Sequence, residues 1–433
     1  MPYPPTLFLI LLQVFFFAAV LAHALRQGTW RRPTLLHFYA YSCFMAGFAN
    51  LQGFLPQYNP DSYIFYYASL PQVPKAALIY LLGSIAIFGG MWLRKRYSSR
   101  IRLPAIPPTA KVPGPVWLAL LAAALFFLHG WMPGRLGLAG SFIFHYIPFG
   151  ILFLLARRPE GNSWWLALGL AAAFTIYNVL YAFLRMEMIL PAFTLVLGVA
   201  TSGRLQLKEF LRPRYFILYA WIVLFIMAFP WMINNRGKYG AGLERIAYAR
   251  QVDLKTILTD GHAGETVLTR SSLLNQLSQV ARIADEDGFY RGKTLDYWRY
   301  VFIPRFLWPD KPPIASGSWF AYKINEKDID RPYKYPHSWS ANMTVPGELY
   351  LNFSWPGLLL GGLLLGWLAQ FLWSTARFWE SDFANNLWGN IFGYFLILSA
   401  FFQFGADLQY LVNVFAYFLL ALVLGFLSAN FIR

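Results

Sequence analysis

Long apolar runs separated by short polar loops dominate this chain. They fall at about 6–25, 35–54, 76–93, 115–131, 138–156, 164–183, 187–202, 215–233, 355–374, 388–404 and 408–429. Crossing a bilayer takes roughly 20 apolar residues in a helix, and most of these runs approach that length. They are continuous, whereas the strands of a membrane β-barrel alternate apolar and polar positions. Lipid offers no partner to an open backbone N–H or C=O, so a single spanning segment must be helical. The pattern predicts an all-α polytopic membrane protein with about 11 transmembrane helices. The seventh run is short and follows Arg185 and Glu187, and reads as a tilted helix or a re-entrant element.

One long hydrophilic stretch interrupts the rhythm and divides the chain in three. Residues 1–233 form an N-terminal bundle of about 8 helices, 234–354 a cap loop, and 355–433 about 3 further helices. A structureless loop of that length is improbable in a compact protein. Two stretches inside it carry helical periodicity. Residues 241–258 put Leu243, Ile246, Ala247, Leu254 and Ile257 near one face, and 266–284 do the same with Val267, Leu273, Leu274, Leu277 and Val280. From Val301 to Pro346 prolines, tryptophans and tyrosines crowd together, which predicts a folded cap over an outward-opening cavity, with the amphipathic pieces along the membrane.

Composition sharpens the class. The chain is 58% hydrophobic and only 13% charged, against about 25% charged in soluble domains. This excludes a soluble enzyme, a disordered scaffold and a disulfide-stapled secreted domain. The formal net charge of +16 would suggest nucleic acid in a soluble protein, but here the basic residues sit in alternate short loops. Arg26, Arg31 and Arg32 follow the first run, Arg94, Lys95, Arg96, Arg100 and Arg102 the third, Arg157 and Arg158 the fifth, and Arg204, Lys208, Arg212 and Arg214 the seventh. The positive-inside rule places those loops in the cytoplasm, with the N-terminus and residues 234–354 outside, and calls for no nucleic-acid partner. The large loop is near balance, with 16 basic and 13 acidic residues. Cys43 is the single cysteine, which excludes an internal disulfide and a cysteine-cluster metal site. No cleavable signal peptide is apparent, because Met1 to Thr6 carry no basic side chain. A phosphate-binding P-loop, a dinucleotide glycine pattern and a zinc-protease motif are likewise missing.

The run Phe302-Ile303-Pro304-Arg305-Phe306-Leu307-Trp308-Pro309-Asp310-Lys311-Pro312 is unusual, and Gly347-Glu348-Leu349-Tyr350-Leu351-Asn352-Phe353 follows it, then Trp355-Pro356-Gly357. In motif order and in spacing to the last three apolar runs, this resembles the bacterial oligosaccharide repeat-unit polymerases, the O-antigen polymerase-like (Wzy-type) family. The resemblance implies a GT-C-like glycosyltransferase architecture in the bacterial inner membrane, with a large periplasmic loop. It further implies polymerisation of undecaprenyl-diphosphate-linked repeat units at the periplasmic face, each transfer ending on the non-reducing sugar of another unit. No cofactor, nucleotide sugar or metal is called for. The implied partners are undecaprenyl-diphosphate-linked glycans, membrane lipids and a chain-length regulator. An O-antigen-ligase-like enzyme, with a similar loop and a different acceptor, is the nearest alternative. A polysaccharide or lipid transporter is a third, although the halves show no internal repeat.

That chemistry asks for cations to hold diphosphates, and a group to take a hydroxyl proton. Arginine's planar fork suits phosphate oxygens. Arg185, Arg236 and Arg305, with Lys311 adding positive potential, are the diphosphate candidates, and the three guanidiniums are expected to converge on one cavity. Arg270 and Arg282 read as solvent-facing. His337, in Tyr335-Pro336-His337-Ser338-Trp339, is the candidate base because imidazole titrates near neutrality. His262 is a weaker one. Glu348 or Asp407 offers a catalytic carboxylate, or instead orients an arginine; Arg305 also counts among the catalytic candidates. Trp308, Tyr335, Trp339 and Tyr350 are the candidate sugar-stacking aromatics, although Trp and Tyr also gather at membrane interfaces. Asp285-Glu286-Asp287 resembles a metal site by composition only, since consecutive helical side chains point apart.

Overall fold

The computed structural model describes residues 4–29, 33–52, 70–97, 151, 161–177, 185–201, 213, 216, 219–220, 273–301, 303, 307–312, 316–325, 341–378, 386–402, 408 and 410–431. Every regular element among them is helical. They are α1 (Pro4–Arg26), α2 (Leu35–Gln52), α3 (Val73–Arg96), α4 (Asn162–Tyr177), α5 (Arg185–Thr201), α6 (Leu274–Glu286), α7 (Ser316–Asn325), α8 (Val345–Pro356), α9 (Gly362–Ala376), α10 (Leu387–Phe402) and α11 (Tyr410–Phe431). A 3₁₀ turn precedes α3, another spans Lys293–Arg299, and a π-helical turn at Gly357–Gly361 joins α8 to α9. Four stretches among the described residues are long and apolar enough to cross a membrane: Pro4–Arg26, Val73–Arg96, Val345–Ala376 and Tyr410–Leu427. The predicted runs at 115–131, 138–156 and 215–233, and the predicted helix at 241–258, lie outside the described residues or almost wholly so.

The chain forms two compact units. The first comprises Met1–Pro107, Leu268–Phe378 and Trp388–Phe426; the second comprises Pro108–Val267, Trp379–Leu387 and Leu427–Arg433. Contacts thus divide the chain otherwise than its polarity does, because part of the predicted cap folds with helices from both ends. In the second unit α4 packs on α5, where Pro191 lies inside the helix and the Thr194 hydroxyl bonds back to the Leu190 carbonyl at 2.7 Å.

In the first unit, α3 and α9 cross at the closest approach. A Cβ built on Gly90 would clash with the Leu363 carbonyl oxygen, and one on Gly366 with that of Ile87. Small residues are what allow membrane helices to meet backbone to backbone, since dispersion and close fit replace the hydrophobic effect there. The main core lies beside this crossing. Ile10, Val73, Ile79 and Tyr80 of α1 and α3 meet Leu274, Leu277 and Val280 of α6, Phe320 of α7 and Leu349 and Leu351 of α8. The amphipathic helix predicted over 266–284 therefore exists as α6, but its apolar face packs on α3 and α8 rather than along lipid.

The expected boundary between cap and last helices, at 354/355, falls within a continuous membrane-length stretch that starts at Val345. The chain kinks there: Ser354 has φ 60° and ψ −158°. Two residues on, Pro356 lacks the N–H that would bond the Asn352 carbonyl. The displaced carbonyls find other donors. Tyr290 N–H bonds the Leu351 oxygen at 3.0 Å and Arg291 N–H the Asn352 oxygen at 2.9 Å. The kink is thus the dock for the turn at 290–292.

Candidate functional site

The richest polar arrangement among the described residues grows from that dock. Thr344 caps α8, its hydroxyl oxygen accepting from Gly347 N–H at 3.1 Å. Glu348 lies in the first turn of α8, where the helix dipole favours an anion, and is 0% exposed. Its Oε1 accepts from the Thr294 hydroxyl at 2.8 Å and its Oε2 from Leu408 N–H at 2.6 Å. One turn on, Asn352 Nδ2 donates to Thr294 Oγ1 at 2.7 Å and to the Glu348 carbonyl at 2.9 Å. Asn352 Oδ1 accepts from Gly292 N–H at 2.9 Å. Gly292 holds φ 88°, a left-handed conformation that glycine adopts without steric cost.

The directions in this relay follow from the donors. Asn352 can only donate through Nδ2, so the Thr294 hydrogen must go to Glu348. Both carboxyl oxygens of Glu348 then accept. The relay joins three parts of the chain: α8, the 3₁₀ turn at 293–299 and the entry to α11. Aromatic packing reinforces the last connection, with Trp298 edge-on to Phe415 at 6.1 Å and Tyr297 clustered with Val412.

Glu348 was expected as a catalytic carboxylate. Here it is fully buried, with a protein donor on each of its carboxyl oxygens. Tyr350 was expected on a sugar-stacking surface, and it is instead 2% exposed. Its ring meets Trp355 and Phe289 edge-on, at 4.9 and 5.6 Å, with the Lys75 ammonium 5.5 Å away. Tyr350 sits two residues from Glu348 on a helix wedged between α6 and α3, so burial follows from its place in the core.

Lys311 donates to two backbone carbonyls, Val301 at 2.9 Å and Ile303 at 2.8 Å, and so ties the ends of the stretch that contains Arg305. Trp308 is 39% exposed, with one edge against Tyr300. Arg185 opens α5 in the second unit. Arg236, Arg305, His337, Tyr335, Trp339, His262, Arg270 and Asp407 lie outside the described residues, as does the expected convergence of the three arginines.

The acidic triplet diverges. Asp285 pairs with Lys75, Glu286 with Arg282 at 2.6 Å, and Asp287 accepts from the Tyr290 hydroxyl at 2.7 Å with Lys323 at 3.3 Å. The Tyr290 hydroxyl, and then Lys323, hold the Asp287 carboxyl below its ordinary value. No group of three His, Cys, Asp or Glu able to hold a metal occurs among the described residues. Sequence reading gave Asn352 no role beyond its place in the motif, and passed over Thr294, Arg291 and Lys293. The last two are exposed cations flanking Gly292, and Arg291 has the unusual φ of 51°. Gly288 and Gly292, closely spaced around Phe289-Tyr290-Arg291, were the available signal of a special turn.

Fold and site together define an α-helical protein with several membrane-length helices and a buried polar relay joining its loop to them. The chain belongs to the family described as a domain of unknown function (DUF8712), which matches residues 31–432. No curated protein and no solved structure matches it.

Proposed function

We propose that this protein is a membrane glycosyltransferase that polymerises undecaprenyl-diphosphate-linked oligosaccharide units at the periplasmic face of the bacterial inner membrane. The observation that supports this reading most is the relay through Glu348, Thr294 and Asn352. The stretch Gly347–Phe353, one of the two that carry the family resemblance, is the stretch that fixes the loop turn at 290–301 to the membrane helices. A catalytic loop above a membrane cavity needs such anchoring, because a displacement of about 1 Å at the reacting centre can cost about a hundredfold in rate.

In this reading the bond from C1 of the growing chain to its lipid diphosphate breaks, and a bond from C1 to the acceptor hydroxyl oxygen forms. His337 takes the hydroxyl proton, and Arg305 holds the departing diphosphate. Glu348 is a positioning residue, and Lys311 keeps the Arg305 stretch closed. The cations Arg291 and Lys293 add positive potential beside the relay.

Reconstitution tests the proposal. Purified protein in liposomes receives its lipid-diphosphate-linked repeat unit, with EDTA and no nucleotide sugar, and products are separated by size. A ladder of products, abolished by Arg305→Ala, is expected. A single transfer onto a supplied non-repeat acceptor would identify a ligase instead, and no product with either acceptor from folded protein would overturn the enzyme reading.

A further inference from the structure

A second charged feature lies where α1 ends, α2 begins and α3 ends. These termini bound a cleft of about 570 Å3. His23, Gln27, Thr29, His37, Lys95 and Arg96 supply its polar lining, and Val20, Ala24, Leu36 and Phe88 an apolar wall. Trp92 stands at the margin, 43% exposed, with the Arg96 guanidinium 5.2 Å from its ring.

Among the described residues the lining contains cations and no acid. Lys95 and Arg96 are exposed, and among the described residues they form no ion pair. The first 107 residues hold nine Lys and Arg and a single acid, Asp61. Hydrogen-bonding capacity points the same way. Thr34 N–H donates to His37 Nδ1 at 2.9 Å, so the neutral ring carries its proton on Nε2 and remains a donor. The side chain of Gln27 adds amide donors. Positive charge with several donors calls for an anionic oxygen ligand, and the apolar wall beside it calls for hydrocarbon.

We propose that this cleft binds a phosphate group, carried by an anionic phospholipid whose acyl chain lies on the Val20–Phe88 wall. Lys95 and Arg96 contact the phosphate, and Trp92 marks the headgroup depth, where tryptophan concentrates in membrane proteins. The proposal is independent of the polymerase reading, since no residue of the loop or its relay takes part.

The test uses full-length protein, delipidated in neutral detergent and titrated with short-chain phosphatidylglycerol, phosphatidylcholine or inorganic phosphate. Retained lipid is counted by native mass spectrometry, and Tm is followed in parallel. Saturable binding of phosphatidylglycerol with a rise in Tm is expected, at clear preference over phosphatidylcholine. Two surface cations contribute enough that the Lys95→Gln/Arg96→Gln variant should bind about thirtyfold more weakly. Arg299→Gln, at an exposed arginine paired with Asp296 on the 3₁₀ turn, should bind as the wild type does. The lipid-free Tm of the double variant should be unchanged, and Arg96→Gln alone serves if it is not. Equal affinity for the two lipids, or full affinity in the double variant, would overturn the proposal. Inorganic phosphate that binds as tightly as phosphatidylglycerol, with the same dependence on Lys95 and Arg96, would overturn the lipid assignment and reassign the cleft to free phosphate.

Discussion

Replacing Glu348 by glutamine changes one atom and tests whether this residue positions or reacts. The relay leaves glutamine no good arrangement. With Nε2 toward Leu408, two N–H donors face each other across a contact that is 2.6 Å long in the wild type. With Nε2 toward Thr294, the threonine oxygen must accept from two amides and its hydrogen loses its acceptor, because Asn352 Nδ2 already donates there. Either arrangement forfeits one hydrogen bond and leaves a buried polar group unsatisfied, at a cost of about 1–3 kcal/mol. Reversible unfolding in mild detergent should therefore show Glu348→Gln destabilised by about that amount. Thr294→Val should be similarly costly, and where the glutamine turns Nε2 to Thr294 the double variant should cost clearly less than the sum, since both changes then break the same bond. A Glu348→Gln protein as stable as wild type, with effects that add to those of Thr294→Val, would refute the relay. If that stable variant were also inactive in the polymerisation assay, Glu348 would return to the catalytic candidates.

Three further outcomes follow from the geometry. Gly90→Ala and Gly366→Ala place a methyl against a facing carbonyl and should cost about 1–3 kcal/mol or more, read as lost monodisperse protein on size exclusion. Gly169→Ala, where nothing lies within 4 Å, should be neutral or slightly stabilising by the same measure. The carboxyl of Asp287 is held below its ordinary value by the Tyr290 hydroxyl, so its stabilisation is complete above the unfolded carboxyl value of about 3.9. It is lost as pH falls through the lower folded value; the stability gap between wild type and Asp287→Asn should be constant from about pH 7 to 5 and close below about pH 4. Lys311→Met removes both bonds to the Val301 and Ile303 carbonyls, and limited proteolysis should then cut between residues 301 and 311 faster than in the wild type.

Much of the architecture was legible along the chain because its causes are local. A run of apolar residues in lipid has no partner for its backbone except itself, so α1, α3, α9 and α11 follow from hydropathy. Helical periodicity over 266–284 located α6, and the spacing of Asp285, Glu286 and Asp287 implied that they point apart, as their three separate partners show. What decided the surroundings of Glu348 and Tyr350 is not local. Two partners of Glu348 lie 54 and 60 residues away, in segments with no periodicity that announces them. A hydrogen bond acts over about 3 Å, so only the folded chain determines which acid meets which hydroxyl. The same holds for α6, whose apolar face suits lipid and protein equally until α3 and α8 are in place. Apolar pattern determined which segments are helices; close packing at Gly90 and Gly366, and the carbonyls released at the Pro356 kink, decided what those helices hold together.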